Sequence, residues 1–282
     1  EMFRIHSAKF FLDGVIENLT VDQLFTTRPF DNLTINVRYK VYREENKTEP
    51  ILFPGYAAFL ESWWRTAITG SFGTRLIENE PASYTRQRAG GEVIWEPISW
   101  LKWRGEYEFE RWDRTHRQVE TSDEHKLVTT FTFKPTSKLR ADIDYRYQDR
   151  TPDFYFSGPL ENQRLRMFDQ AKRIRNDARF RWQWAAPPRL GLSGDFAYFS
   201  DDYDQNQFGL ARYIERRAGI EALFNPRENA TVYINYSREH YNSTLNSISK
   251  TGAPFNDLNR WNREDRAIND NFGIGASTYL YK

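Results

Sequence analysis

The sequence predicts an all-β chain folded as an antiparallel transmembrane β-barrel, and three observations predict it. First, five short connectors with proline or turn-forming polar residues recur along the chain: Arg28-Pro-Phe-Asp-Asn32, Glu96-Pro-Ile-Ser99, Lys134-Pro-Thr-Ser-Lys138, Ala185-Ala-Pro-Pro-Arg189 and Asn225-Pro-Arg-Glu-Asn229. Second, about ten residues alternating apolar with polar flank each connector, with longer polar stretches between, as in a barrel with short turns on one rim and long loops on the other. Third, aromatic residues make up 16% of the chain, with 9 Trp, 16 Tyr and 21 Phe, the type that forms girdles at a membrane interface.

The strands follow in order. A weaker strand spans roughly Val15 to Phe25, and the clearest runs from Leu33 to Tyr42, with Leu33, Ile35, Val37, Tyr39 and Val41 on one face and Thr34, Asn36, Arg38 and Lys40 on the other. Ala89, Gly91, Val93 and Trp95 then descend and Leu101, Trp103, Gly105, Tyr107 and Phe109 ascend, their opposite face carrying Lys102, Arg104, Glu106, Glu108 and Glu110. Five consecutive charges on one face belong in water, not in a sandwich core. The pattern returns with Leu127 to Phe133, then with Leu139 to Tyr147 opposite Arg140, Asp142, Asp144 and Arg146. It continues with Ala178 to Trp184, where Arg179 and Arg181 share the polar face, then Leu190 to Tyr198, Ala218 to Phe224 and Ala230 to Tyr236. A last strand carries Phe272, Ile274, Ala276 and Leu280. About eleven strands are visible, and ten residues tilted by about 45° span roughly 23 Å, close to the apolar band of an outer-membrane barrel.

Long loops are expected at about Glu44 to Tyr84, Trp112 to Asp123, Arg150 to Lys172, Ser200 to Tyr213 and Asn242 to Arg263. In the first, Trp63-Trp64 within Phe59 to Ala67 could form a short helix or a reentrant hairpin. The domain reading is an N-terminal segment, residues 1–13, and barrel strands over 14–282, with the short turns periplasmic and the long loops extracellular. Glu1-Met-Phe-Arg lacks the features of a signal peptide, and Tyr279-Leu-Tyr-Lys282 falls within a strand, so the expectation is part of a larger barrel.

Composition excludes several function classes. A mean hydropathy of -0.79 reads as soluble, but a barrel strand gives lipid only every second residue. No stretch approaches the roughly 18 apolar residues of a spanning helix. With 40 basic against 39 acidic residues, no global field points to nucleic acid. The chain has no cysteine, so disulfides, Cys-based metal sites and covalently attached c-type haem are excluded, and any redox cofactor belongs to a partner.

The candidate sites follow from the faces. Arg38, Lys40, Lys102, Arg104, Glu106, Glu108, Glu110, Arg140, Asp142, Asp144, Arg146, Arg179 and Arg181 are expected to face the lumen, where mixed signs allow cross-strand ion pairs and do not form a single-sign selectivity ring. Such a wall suits a protein-filled lumen, with Arg38, Lys40, Arg179 and Arg181 as positive contacts; any large water-filled barrel would also carry it. Trp95, Trp100, Trp103, Trp182 and Trp184 gather near the short-turn rim as lipid-interface anchors. Asp201, Asp202 and Asp204 are a candidate cation site at the long-loop rim, against the reading of a solvated acidic loop. His6, His116, His125 and His240 share no metal-ligand spacing, and there is no G-x-S-x-G nucleophile motif, so no enzyme chemistry is expected.

Leu12-Asp-Gly, Thr27 to Leu33, Val37 to Arg43 and Glu45-Asn-Lys-Thr48, followed by Glu106 to Arg111, Asp144 to Arg150, Asp169 to Arg175, Phe199 to Tyr203 and Trp261 to Asp270, stand in one order over most of the chain. In these residues the chain resembles the MtrB/PioB family of decahaem-associated outer-membrane barrels. The resemblance implies an integral outer-membrane sheath in which a periplasmic multihaem c-type cytochrome sits, passing electrons across the membrane, with an extracellular cytochrome as a further partner. The chain is short for the family's wide barrel of about 26 strands and lacks the N-terminal cysteine motif of some members. The alternative is a diffusion porin or substrate-specific channel without a redox partner, and a third reading is a soluble or surface-bound β-rich binding protein.

Overall fold

A computed structural model describes residues 13–49, 52–54, 64–67, 76–79, 81–156, 164–186, 189–203, 208–248 and 260–278. Eleven strands form one antiparallel sheet in chain order: β1 (Ile16–Phe30), β2 (Leu33–Asn46), β6 (Tyr84–Ile98), β7 (Leu101–Arg114), β8 (Thr121–Thr136), β9 (Leu139–Pro152), β10 (Arg173–Ala186), β11 (Leu190–Asp202), β12 (Gly209–Arg227), β13 (Ala230–Ile248) and β14 (Arg260–Thr278). Each strand pairs with its neighbour in sequence, as the connector pattern demands; β1 and β14 are the ends of the sheet. Within the β2–β6 connection, β3 (Leu52–Pro54), β4 (Trp64–Ala67) and β5 (Leu76–Asn79) form a small antiparallel sheet in the order β3-β5-β4. Trp64 therefore begins a strand and not a helix, while Trp63 lies outside the described residues, as do residues 1–12 and Leu280.

The strands of the large sheet are 13 to 19 residues long, where the sequence suggested about ten. The excess lies at the long-loop ends. Arg43 to Asn46, Glu110 to Arg114 and Thr121 to Glu124 keep pairing because backbone hydrogen bonds cost nothing to continue once two strands are in register, even where alternation gives way to polar residues. The long loops shorten accordingly, that between β7 and β8 to residues 115–120 and that between β11 and β12 to 203–208.

The short-turn rim shows why its prolines recur. Register slips between Thr27 and Phe30, Trp95 and Ile98, Phe133 and Thr136, and Phe224 and Arg227, so Arg28-Pro29, Glu96-Pro97, Lys134-Pro135 and Asn225-Pro226 occupy bulges. Proline has no N–H to give a ladder and is tolerated at such a bulge. Two residues then close each turn: Asp31-Asn32, Ser99-Trp100, Ser137-Lys138 and Glu228-Asn229. Neighbouring turns are stitched together, the Glu96 amide donating to the Asn32 carbonyl at 2.9 Å and the Lys134 amide to the Trp100 carbonyl at 2.7 Å.

Apolar side chains do not fill a core. Among the described residues the buried hydrophobic ones are Val119, Ala171, Tyr203 and Phe208, all at the long-loop rim. Val37, Leu127, Ile143, Phe196, Ile220, Ile234 and Ile274 are exposed on the sheet's outer face. A face so apolar along every strand would be unstable in water, at roughly 1.5–3 kcal/mol per large side chain, and is stable against acyl chains. This excludes the soluble reading.

Candidate functional site: the charged lumen wall and its loop rim

Register fixes which side chains share the inner face. Asp22, Lys40, Arg88, Glu110 and Glu124 face one another strand by strand from β1 to β8, and Glu92, Glu106, Val128, Arg146 and Asp177 form a second row that runs on to β10. Because side chains alternate, every proposed lumen residue from Arg38 to Arg181 falls on this face, opposite the apolar band.

The inner charges are paired with one another. Asp22 accepts both Arg38 at 2.5 Å and Lys40 at 3.5 Å. Arg104 bridges Glu92 and Glu106, the latter at 2.9 Å, and Lys102 pairs with Glu96 at the turn rim at 2.9 Å. Glu110, 3% exposed, is the centre of the densest group. It receives Arg86 at 2.6 Å, Arg88 at 3.0 Å, Lys126 at 2.9 Å and the indole N–H of Trp112 at 2.7 Å, while Lys126 also reaches Glu108 at 3.1 Å. Arg140 pairs with Asp142 at 2.8 Å, and Arg181 with Asp144 at 2.8 Å. Arg146 reaches Asp177 at 3.8 Å, its direct partner across the strand, and Arg179 joins the same carboxylate at 2.9 Å. Hydroxyls complete the acids, Thr132 donating to Asp142 at 2.7 Å and Thr130 to Asp144 at 2.9 Å.

Gly90 opens a notch of about 320 Å³ in this wall, lined by Leu24, Arg38, Lys40, Arg88, Glu106 and Glu108 among others. A β-carbon there would lie 2.6 Å from the Tyr107 carbonyl oxygen, so the close approach of β6 to β7 requires glycine. Above the notch Tyr42, Tyr84 and Trp112 form an inner aromatic ladder with ring centroids 5.6 and 5.3 Å apart, and the guanidinium groups of Arg86 and Arg114 each lie 4.7 Å from the Trp112 ring. Sequence reasoning missed this ladder, although Tyr42, Tyr84 and Trp112 all sit in step with the polar face. The alternation that placed Arg38 there would have placed them too.

At the long-loop rim, the segment after β9 folds against the inner face. Arg150 donates to the carbonyl oxygens of Ala171, Asp169 and Phe168 at 2.9, 2.8 and 2.5 Å. Gln170, 1% exposed, accepts from the Val119 amide at 3.0 Å and donates to Gln118 at 2.8 Å, tying this segment to the β7–β8 connection. Gly209, at φ 105°, admits the Arg166 carbonyl close to its α-carbon, and Leu165 bridges Phe208. Arg173 pairs with Glu124 at 2.7 Å beneath this cap.

Of the acidic rim residues, Asp201 and Asp202 are not brought together. Asp201 faces inward and is gripped by Arg175 at 2.6 and 2.7 Å, and Asp202 alternates to the other side. Asp204 lies outside the described residues. Tyr203 packs beside Asp201, donating to it at 3.3 Å; burial, and then the adjacent carboxylate, push its phenol pKa up.

The tryptophans stand near the short-turn rim. Trp95 and Trp103 are direct cross-strand partners on the outer face, Trp182 and Trp184 lie on the same face of β10, and Trp100 sits in the β6–β7 turn. Tyr39, Tyr107, Tyr145 and Tyr236, also outward and exposed, form a second belt farther up the strands.

Residues 6–281 are matched by the profile of the family described as "Putative outer membrane beta-barrel porin, MtrB/PioB". Among curated proteins none matches the chain. Solved structures similar to it include outer-membrane expressed OmpT of Vibrio cholerae, with 10% identity over 95% of this chain and 98% of that one and a TM-score of 0.41. Others are a Pseudomonas aeruginosa FadL homologue, with 9% identity over 94% and 68% and a TM-score of 0.41, and the outer membrane channel DcaP of Acinetobacter baumannii, with 10% identity over 93% and 84% and a TM-score of 0.40.

Proposed function

Because the chain belongs to the MtrB/PioB family of outer-membrane β-barrel porins and so resides in the outer membrane, we propose that it is the sheath of an electron conduit, holding a periplasmic multihaem c-type cytochrome in its lumen and performing no catalysis itself. The observation that supports this over an ion-selective pore is the mutual pairing of the inner charges. Arg38, Lys40, Arg179 and Arg181 each hold a carboxylate of the chain's own wall, so the wall offers alternating, self-neutralised polarity and no ring of one sign. Such a surface can meet a folded protein through hydrogen bonds and water without trapping an unpaired charge. The haem belongs to the partner, since the chain has no cysteine to attach it. An extracellular cytochrome meeting the long loops would complete the path.

The test is the absorption spectrum, oxidised and dithionite-reduced, of the complex drawn from native outer membranes in mild detergent through a tag on this chain. Stoichiometric c-type haem bands are expected, and reversing Arg179 and Arg181 to Glu should reduce the haem retained. A haem-free barrel that conducts ions in planar bilayers would overturn the proposal in favour of a diffusion porin or substrate-specific channel.

A further inference from the structure

The outer face of β11 to β14 changes character at one height. From the short turns upward it is apolar, with Phe224, Ile220, Ile234 and Phe272 exposed, and then polar and charged residues enter it, with Ile268 still exposed beside His240. Tyr198, Arg216 and His240 are direct cross-strand partners in one row, and Arg238 and Asp270 are partners in the row nearer the turns. These rows lie nine to twelve residues from the β12–β13 turn at Glu228-Asn229, which at about 3.3 Å per residue and a tilt near 45° is roughly 21–28 Å. That is the upper boundary of an apolar band about 25 Å tall, on the side of the long loops, which in outer-membrane barrels is the outside.

Elsewhere at this height the outward cations are neutralised by the chain. Arg43 pairs with Glu45 at 2.9 Å, Arg111 holds Asp123 at 2.8 and 2.9 Å, and Arg266 pairs with Glu264 at 3.1 Å. Arg216 differs. Among the described residues no carboxylate lies within ion-pair distance of it, and its guanidinium stands 6.0 Å from the Tyr198 ring centroid. Arg238 has only a long pairing with Asp270, at 3.8 Å, and that carboxylate is already taken by the Tyr236 hydroxyl at 2.7 Å.

We propose that Arg216, Arg238 and His240 form a binding site for a phosphate-bearing glycolipid of the outer leaflet, of the lipid A type. Its phosphate would sit across the two guanidinium groups at the boundary, where planar donors match phosphate oxygens, and its acyl chains would run down Ile220, Ile234 and Phe224. An anion at that depth faces less water than on an open surface, so each guanidinium contact counts for more than a surface ion pair does. The site lies on the opposite face of the sheet from the lumen and is independent of any lumen partner.

The experiment is native mass spectrometry of the purified full chain in mild detergent, titrated with bisphosphorylated lipid A, the same lipid lacking its phosphates, and inorganic phosphate. Binding is expected to require both phosphate and acyl chains. Arg216→Gln with Arg238→Gln should weaken it by about tenfold or more, the scale of a lost charge-assisted contact. Asp270→Asn should tighten it by releasing Arg238, so the proposal stays testable if the arginine variants fail to fold. Equal binding of the dephosphorylated lipid, full competition by inorganic phosphate alone, or an Asp270→Asn variant that binds no better than the parent would each overturn the site.

Discussion

Removing the charge of Glu110 is the sharpest test of the view that the inner wall is held by buried ion pairing. Its side chain is 4% exposed, and its three cations are 29% (Arg86), 32% (Arg88) and 18% (Lys126) exposed. Breaking a fully buried pair costs roughly 3–5 kcal/mol, and water reaching the cations lowers that, so Glu110→Gln should cost about 2 kcal/mol. The amide keeps one acceptor oxygen but turns an N–H₂ toward three positive groups. Glu106→Gln, at a 33% exposed carboxylate whose partner Arg104 still holds Glu92, should cost about 0.5 kcal/mol. Equilibrium urea unfolding from lipid vesicles, followed by tryptophan fluorescence, would show the first as a midpoint shift of about 1 M if the slope is near 2 kcal/mol/M. Raising salt to about 1 M should erase the Glu106 effect and leave most of the Glu110 effect. Adding Arg88→Met to Glu110→Gln should recover part of the loss, because among the described residues Arg88 has its carboxylate partner only in Glu110, whereas Lys126 keeps Glu108. If Glu110→Gln unfolds within about 0.5 kcal/mol of the parent, the cluster is solvated and the reasoning fails.

Three further outcomes follow from the geometry. Gly90→Val should destabilise the sheet by about 1–3 kcal/mol, or block folding, since its β-carbon would strike the Tyr107 carbonyl of β7; a refolding yield equal to that of the parent would contradict the close approach. Arg150→Met removes the donors to Phe168, Asp169 and Ala171, so limited proteolysis should cut the β9–β10 connection faster while the barrel strands stay protected. Tyr203 has its pKa raised in the folded chain, so the stability it contributes is complete below the ordinary phenol value near 10 and is lost as pH rises through the higher folded value; Tyr203→Phe should flatten the alkaline limb of a stability-pH curve.

Strand pairing, faces and turn positions were legible because each rests on a local signal. Alternation places Arg38, Glu110 and Arg181 on one side whatever the fold's width, and Arg28-Pro-Phe-Asp-Asn32 announces a turn by itself. Strand length was not legible, because Thr121 to Glu124 and Arg43 to Asn46 are polar on both faces and continue only through backbone pairing with neighbours. Pairing partners were half legible: the mixed signs of Arg140, Asp142, Asp144 and Arg146 announced cross-strand ion pairs without naming the partners. The register of β9 against β10 sets Asp177 directly opposite Arg146, and no local pattern fixes that register. The cap held by Arg150 and Gln170 was hidden altogether, since its bonds join residues 18 to 52 positions apart in segments that read as polar loop.

The two faces of the sheet divide the physical work, and on the proposed function this division sets how the lumen partner would be held. On the outer face cohesion comes from lipid contact and the aromatic belts, which do not specify a partner. On the inner face the charges are satisfied within their own strand, as Arg140 by Asp142, or by a neighbouring strand, as Glu110 by Arg86 and Lys126, so the wall's stability does not depend on anything in the lumen. An empty barrel built this way should fold without its occupant, and the occupant would then compete only for second-choice contacts such as the outer lone pairs of Asp22, Asp142 and Asp177. Retention by many weak contacts over a long wall, rather than by a few strong ones, follows from this arrangement. Single charge neutralisations along the wall should therefore cost little retention each, while reversal of adjacent charges, as at Arg179 and Arg181, should cost a great deal, because each reversal sets a second carboxylate against Asp177 or Asp144 in place of a paired cation.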